Sequence, residues 1–340
     1  MLIFWILIFI LSLAVLVKSA DWLVNSAEKI GLALKISPFI IGVTIVAIGT
    51  SFPELITSLV AVFKDATEIV VANVVGSNIA NILLIVGLSS IVARTLIVRK
   101  SLIDLDAPLL AASTALFVFI MWDRKIVAWE GALLLCAFVI YLLYTIFNRG
   151  EENKPKEKGV FRVTPEEMVE ILPSHVERRK KMDSKKQAVL GPKIGSRVLF
   201  FLVLGIVGLT ISAYFTIESV IMLAGFLGVP TSLIAIIAVA IGTSLPELIV
   251  SVGAAWAKKY EIALGNVLGS NIFNVLMVVG IPSLIRPLIV DNLTFTIGLP
   301  FLVVATLLFV ISGISRRIHI WEGMMYLLIY LLFVVKLLMF

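Results

Sequence analysis

The chain has 340 residues, of which 60% are apolar and only 15% charged, with a formal net charge of +6. Such a composition excludes an ordinary soluble domain. A single cysteine, Cys136, excludes a disulfide framework or a thiolate metal site and reads as a small buried apolar residue.

Apolar runs of about 17–25 residues, each long enough to cross roughly 30 Å of hydrocarbon, recur along the chain. In order they give ten spans: 2–18, 37–62, 68–92, 106–122, 128–147, 197–216, 219–256, 262–285, 294–312 and 320–339, the seventh long enough to be broken. The first has no basic leader and no clear small-residue cleavage site, so it reads as a retained helix. Trp22, Trp122, Trp129, Trp256 and Trp321 fall near span ends, as in an interfacial aromatic belt. His175 and His319 fall in hydrophilic connections and read as solvated. Asp21, Glu28, Asp65 and Glu68 read as interfacial or loop residues without chemistry.

Between the fifth and sixth spans lies Asn148–Lys193, which holds the basic run Arg178, Arg179, Lys180 and Lys181. The run is interleaved with Glu166, Glu167, Glu170 and Glu177 and lacks a recognition motif. It reads as a solvated linker rather than a nucleic-acid site, with contact to anionic lipid as a lesser role. With ten spans, the connections on the linker's side carry 23 of the 28 lysines and arginines. That asymmetry puts the linker, 148–196, in the cytoplasm and both termini outside, in a multi-pass protein of the cell membrane.

Two segments repeat one another. Val46–Ser90 runs from VAIGTSFPELI to NVVGSNIANIL, and Val239–Ser283 from VAIGTSLPELI to NVLGSNIFNVL; 25 of 45 positions match at a constant offset of 193. Each copy buries a glutamate and small polar residues in an apolar segment, which is costly in hydrocarbon unless they serve an ion pathway. Five spans per half is an odd number, so the halves enter the membrane from opposite sides and their motifs meet near the midplane. The expected fold is an all-α membrane protein of ten helices, two inverted five-helix repeats with broken helices at the ion site. Residues 1–147 form the first half and 197–340 the second.

Pro53 and Pro246 predict helix breaks that free backbone carbonyls to line a polar cavity. Thr50, Glu54 and Ser58 form one stripe by spacing, repeated as Thr243, Glu247 and Ser251. Asn73, Ser77 and Asn81 form a second, repeated as Asn266, Ser270 and Asn274. Gly76 and Gly269 allow close helix approach. Facing stripes surround a cavity with carboxylate, hydroxyl, amide and carbonyl oxygens, which suits Na+ and Ca2+. Ser58 and Ser251 fit packing better than ligation; Asn73, Asn78, Asn266 and Asn271 fit either.

At these motifs, GTSFPEL…GSNIAN and GTSLPEL…GSNIFN, the chain resembles the cation/calcium antiporter superfamily, especially prokaryotic and archaeal sodium/calcium exchangers. The resemblance implies that Glu54 and Glu247 are the central ligands of the transported ions, Ca2+ and Na+. It implies that Thr50, Ser51, Ser77 and Asn81 line one side, and Thr243, Ser244, Ser270 and Asn274 the other. Backbone carbonyls at Ala47 and Ala240 join them. No catalytic residue and no resident cofactor are implied. Asn274 stands where some relatives, including the potassium-dependent branch, carry aspartate, so the site holds two formal charges and potassium co-transport is disfavoured. The chain also lacks the GNxxE-type motif of many proton/calcium exchangers.

One Ca2+ or two Na+ neutralise such a site and lower the cost of moving it through low dielectric. The resemblance implies a third Na+, electrogenic exchange, and the first and sixth spans as the moving element. The nearest rival is a proton/calcium antiporter, since buried glutamates can carry protons. A channel is disfavoured by an inverted pair sharing one acidic site, and an intramembrane enzyme by the lack of HExxH and GxSxG motifs. Oligomeric state is open, with a monomer as one option.

Overall fold

The computed structural model describes residues 1–33, 47–98, 106–152 and 195–339. The described chain is helical. Its helices are α1 (Leu2–Ala33), α2 (Phe52–Phe63), α3 (Glu68–Ala93), α4 (Ala107–Ile120), α5 (Ala128–Glu152) and α6 (Ser196–Leu227). They continue as α7 (Thr231–Thr243), α8 (Leu245–Trp256), α9 (260–285), α10 (Thr294–Ile314) and α11 (Ile320–Leu338).

Among the described residues, seven helices are long and apolar enough to cross a membrane, or eight if the bent pair α7–α8 is one span. This is fewer than the ten expected. The first part of the expected second span lies outside the described residues, which leaves α2 as a short apolar helix, and Ala107–Asp123 is another. Two small antiparallel ribbons also form. β1 (Thr95–Ile97) pairs with β4 (Arg317–His319), and β2 (Lys125–Ile126) with β3 (Leu288–Ile289).

Burial separates the helices into two classes. In α3, 94% of the most apolar stretch is buried inside protein and in α9 83%, against 22% in α1 and in α6. The helices that carry the asparagine stripes are therefore central, and α1 and α6 stand at the periphery. Those two pack along each other in opposite directions: Thr216 donates to Ser12 at 2.9 Å at one end, and Trp22 meets Phe201 at the other. Gly205 lets the backbones meet, since a Cβ there would stand 2.9 Å from the Ser19 carbonyl oxygen. Leu16, Ala20, Leu209 and Ala213 form a small apolar cluster of their own, apart from the main core.

Several expectations are corrected. α1 extends to Ala33 rather than stopping near residue 18, because Lys18 and Asp21 pair on its exposed side while Ser19 and Ala20 stay buried. Within α1 the membrane-length apolar stretch is Leu2–Leu23, so Trp22 stands near its end, as expected. The sixth and seventh spans divide at 228–230, not at 217–218. Glu218 is carried inside α6, where Lys64 satisfies it, and Gly228 at φ 66° with Pro230 ends the helix. Cys136 is exposed, because its face of α5 points away from the core. His319 sits in β4, where its backbone N–H donates to Glu322 and caps α11. His175 and nearly all of the linker lie outside the described residues.

The two copies exchange contacts. Equivalent residues of the two copies differ by 193 in number, and two contacts between the copies recur with their members swapped, as contacts across a twofold axis do: Ser51–Glu247 with Ser244–Glu54, and Asn81–Asn271 with Asn274–Asn78.

Candidate cation site

Glu54 and Glu247 are fully buried, each in the first turn of its helix, α2 or α8. Local sequence puts them there. The helical turn before the break, Ala47–Thr50 or Ala240–Thr243, ends at Ser51 or Ser244, and a proline follows in the first turn of the next helix. Proline lacks an N–H and fits that first turn, where no donor is needed. The helix direction changes there, by 46° between α7 and α8. Each carboxylate thus sits at the positive end of a helix that begins in mid-protein.

The serines at the breaks reach across to the other copy. Ser51 Oγ donates to Glu247 Oε1 at 2.8 Å, and Ser244 Oγ donates to Glu54 Oε1 at 3.3 Å. Thr50 stands beside the Glu247 carboxylate and Thr243 beside that of Glu54. Ser270 Oγ also donates to Glu247 Oε1, at 3.3 Å. The structure thus brings together Thr50, Ser51, Ser270 and Glu247 on one side, and Thr243, Ser244 and Glu54 on the other. The Ala240 carbonyl accepts from the Ser244 N–H at 3.1 Å and the Thr243 hydroxyl at 3.4 Å. Ala47 lies in the corresponding turn of the first copy.

Asn274 opens a π-helical stretch in α9, and Asn81 is the second residue of one in α3, Ala80–Ile85. Single π turns inside α-helices recur at functional sites. Asn81 Nδ2 donates to Asn271 Oδ1 at 3.0 Å, and Asn274 Nδ2 donates to Asn78 Oδ1 at 3.1 Å. These bonds use the amide nitrogens and leave the Oδ1 atoms of Asn81 and Asn274 without a partner among the described residues.

Glu54 Oε2, Glu247 Oε2, Ser77 Oγ, Asn81 Oδ1 and Asn274 Oδ1 are buried with no hydrogen-bond partner among the described residues. Buried acceptors are normally satisfied. Five such oxygens, two of them on the carboxylates themselves, fit a hard cation, for which oxygen is the preferred donor. No group of three or more His, Cys, Asp or Glu side chains occurs among the described residues, so the site's charge comes from Glu54 and Glu247 alone.

The asparagines left undecided by sequence acquire roles. Asn78 and Asn271 hold Asn274 and Asn81 in place, and Asn78 Nδ2 also donates to the Asn271 carbonyl at 3.1 Å. Asn266 accepts from Thr50 and donates to Ser251 at 3.0 Å, so Ser251 is a support of that network. Asn73 and Ser58 are buried, and no such bond forms in the first copy among the described residues. The shared offset of 193 was the available signal for Asn78 and Asn271; nothing in sequence distinguished Asn266 from Asn73.

The sequence matches the family described as "Sodium/calcium exchanger protein" over residues 4–147 and 197–339. It is 34% identical to the sodium/calcium exchanger MaX1 of Methanosarcina acetivorans, covering 97% of both chains. It is 33% identical to the putative antiporter CaxA of Alkalimonas amylolytica, covering 93% of both. Its fold is similar to a solved structure of the sodium-calcium exchanger NCX_Mj soaked with Na+ and Sr2+, with a TM-score of 0.63 and 29% identity over 98% of each chain.

Proposed function

The chain belongs to the sodium/calcium exchanger protein family and is a multi-pass helical membrane protein, and from that premise we propose that it exchanges Na+ for Ca2+ across the cell membrane by alternating access. The observation that carries this reading is the crossed pair Ser51–Glu247 and Ser244–Glu54, surrounded by buried oxygens without partners. In this reading the ligands are Glu54, Glu247, Thr50, Ser51, Ser77, Asn81, Thr243, Ser244, Ser270 and Asn274, with the carbonyls of Ala47 and Ala240.

The chain crosses the membrane ten times in this reading, as two inverted halves, 1–147 and 197–340, joined by a cytoplasmic linker. The swapped contacts support that arrangement, as does the opposite direction of α1 and α6, which stand at the same place in the two halves. These two helices also serve as the moving element. Their peripheral position and the apolar cluster at their shared seam leave them outside most of the main core, which α6 joins at Ile217 and Val220.

Two carboxylates with no cationic partner among the described residues hold the empty site back from the low-dielectric path, and Ca2+ or Na+ releases it. This couples the two ions. Three Na+ per Ca2+ leave one net charge per cycle. A tenfold Na+ gradient with 100 mV then supplies about 6.5 kcal/mol, which balances between four and five decades of Ca2+ gradient.

The test is radioactive Ca2+ uptake into proteoliposomes loaded with Na+, with pH clamped and potential set by an ionophore. The expected result is uptake that requires the outward Na+ gradient and responds to potential. Uptake indifferent to Na+ and driven by a pH gradient would transfer the assignment to proton/calcium antiport.

A further inference from the structure

A cavity of about 410 Å³ opens at one end of the α1–α6 seam, remote from the buried glutamates. It is lined by Trp22, Asn25, Ser26 and Lys29 of α1 and by Arg197, Val198 and Phe201 of α6. Its chemistry is divided. Trp22 and Phe201 form a half-buried aromatic floor, with ring centroids 5.8 Å apart. Lys29, Arg197 and Asn25 form an exposed rim. The Arg197 guanidinium lies over the Phe201 ring at 5.9 Å, which orients it along the cavity wall. Neither Lys29 nor Arg197 pairs with a described carboxylate. Asp21, one turn before Asn25, is taken by Lys18 at 3.6 Å. α6 begins beside this rim, and no side chain caps its first turn.

A second, apolar groove of about 270 Å³ lies along the same seam, lined by Ile8, Leu11, Ser12 and Val15 with Ile211, Ser212 and Phe215. The two sets of residues follow one helical spacing: 8, 11, 12, 15, 22, 25, 26 and 29 on α1, and 197, 198, 201, 211, 212 and 215 on α6. They therefore occupy one face of each helix. At 1.5 Å per residue, the ten positions between Phe201 and Ile211 span about 15 Å, within reach of an acyl chain.

We propose that this seam binds an anionic phospholipid, with the headgroup phosphate between Lys29 and Arg197 and an acyl chain running over Trp22 and Phe201 toward the apolar groove. Two cations with no carboxylate partner among the described residues, a helix start uncapped by any described side chain and an aromatic floor at an interface suit a phosphate joined to hydrocarbon. A soluble anion would use the rim and leave the aromatic floor unused. The site rests on the reading of α1 and α6 as membrane helices. Because both helices contribute, the lipid bears on the element proposed to move during exchange.

The full-length protein in mild detergent is offered equal amounts of phosphatidylglycerol and phosphatidylcholine with identical chains, and retained lipid is counted by native mass spectrometry. Two basic contacts predict a preference for phosphatidylglycerol of about 30-fold. The Lys29→Gln/Arg197→Gln variant loses it, whereas Lys258→Gln/Lys259→Gln, a basic pair elsewhere, keeps it. Equal retention of both lipids, or equal loss in both double variants, overturns the proposal. Displacement by inorganic phosphate, with glycerophosphate binding as well as intact lipid, overturns it in favour of a free-anion site. Should the double variant fail to fold, phosphatidylglycerol brominated along its chain provides a second reading. It quenches tryptophan fluorescence in the native protein and less in Trp22→Phe; identical quenching in the two sinks the site. Lipid retention needs no ion gradient, so this outcome is independent of whether the cargo assignment survives.

Discussion

Ser51 Oγ donates to Glu247 Oε1 at 2.8 Å, joining residues 196 positions apart in the two copies of the repeat. Ser244 and Glu54 do the same in reverse at 3.3 Å. Neither half-site is complete alone. A shift of one broken helix against the other changes the oxygens presented to both carboxylates together. That is the coupling an exchanger needs, since a cation bound at one glutamate alters the ligands of the other.

Replacing Glu54 or Glu247 by glutamine removes one of two charges while keeping the shape of the site. Coupled exchange is expected to fall by about 10- to 150-fold, because a lost charged ligand costs roughly 1.5–3 kcal/mol and the two ions no longer balance the site. Folding is expected to survive, because removing a buried unpaired charge relieves desolvation rather than adding to it. Proteoliposome flux and detergent melting curves, taken on the same preparation, check both halves. Near-normal exchange by either variant would remove that glutamate from the centre of the site.

Asn271 supports the site without facing the carboxylates. Its side-chain oxygen accepts from Asn81 and its backbone carbonyl accepts from Asn78, which in turn accepts from Asn274. Asn271→Ala leaves the Asn81 amide unpaired in a buried position, at a cost of about 1–3 kcal/mol. The expected result is a roughly tenfold weaker apparent Ca2+ affinity with a smaller change in maximal rate. Asn78→Ala is expected to act alike through Asn274. Concentration-dependence of Ca2+ uptake separates affinity from rate, and an unchanged half-saturation in both variants would show that the clamps do not set ligand position.

Much of this was legible because membrane burial makes polar residues conspicuous. Glu54, Glu247 and the serine and asparagine stripes stood out against apolar neighbours, and their common offset tied them together. What sequence hid was mostly satisfied locally. Glu218 looked like the end of a span, yet Lys64 pairs with it from the far end of α2, so α6 continues to Leu227. Cys136 looked like a core residue, but composition cannot say which face of an apolar helix meets lipid and which meets protein. Asn73 and Asn266 occupy equivalent positions and differ only in the structure, where Asn266 alone bonds to Ser251 and the Glu247 carbonyl. Such asymmetry lies in the relative position of helices, which a repeat in sequence cannot encode.

Lys64 joins the end of α2 to α6, the proposed moving helix. It pairs with Glu218 and lies over the Tyr214 ring at 3.7 Å. Burial lowers its pKa, but hydrogen bonding to Glu218 and Tyr214 outweighs this and leaves it raised. A raised folded-state pKa means the contact stabilises fully below lysine's ordinary pKa and weakens only as pH rises through the higher value. Lys64→Gln is expected to lose about 1–2 kcal/mol, between surface and buried ion pairs. The melting-temperature gap to the native protein should stay flat from about pH 6 to 9. A gap that closes within that range would mean the pair is not the source of the effect.

Gly76 offers a test of the packing that brings α3 against α7. A Cβ at Gly76 would lie 2.2 Å from the carbonyl oxygen of Ile236 and 2.8 Å from the Ala240 Cβ. The first obstacle is backbone, so no rotamer change relieves it, and the helices must separate beside Ser77 and the Ala240 carbonyl. Gly76→Ala is therefore expected to destabilise by about 1–3 kcal/mol and to impair exchange. Gly225→Ala is the matched control: nothing lies within 4 Å of its Cβ position in α6, and alanine favours a helix over glycine by about 1 kcal/mol. That variant should melt at or above the native temperature and transport normally. If Gly76→Ala melts as the native protein does, α3 and α7 do not approach this closely, and the wall they form on the first half of the cation site must be redrawn.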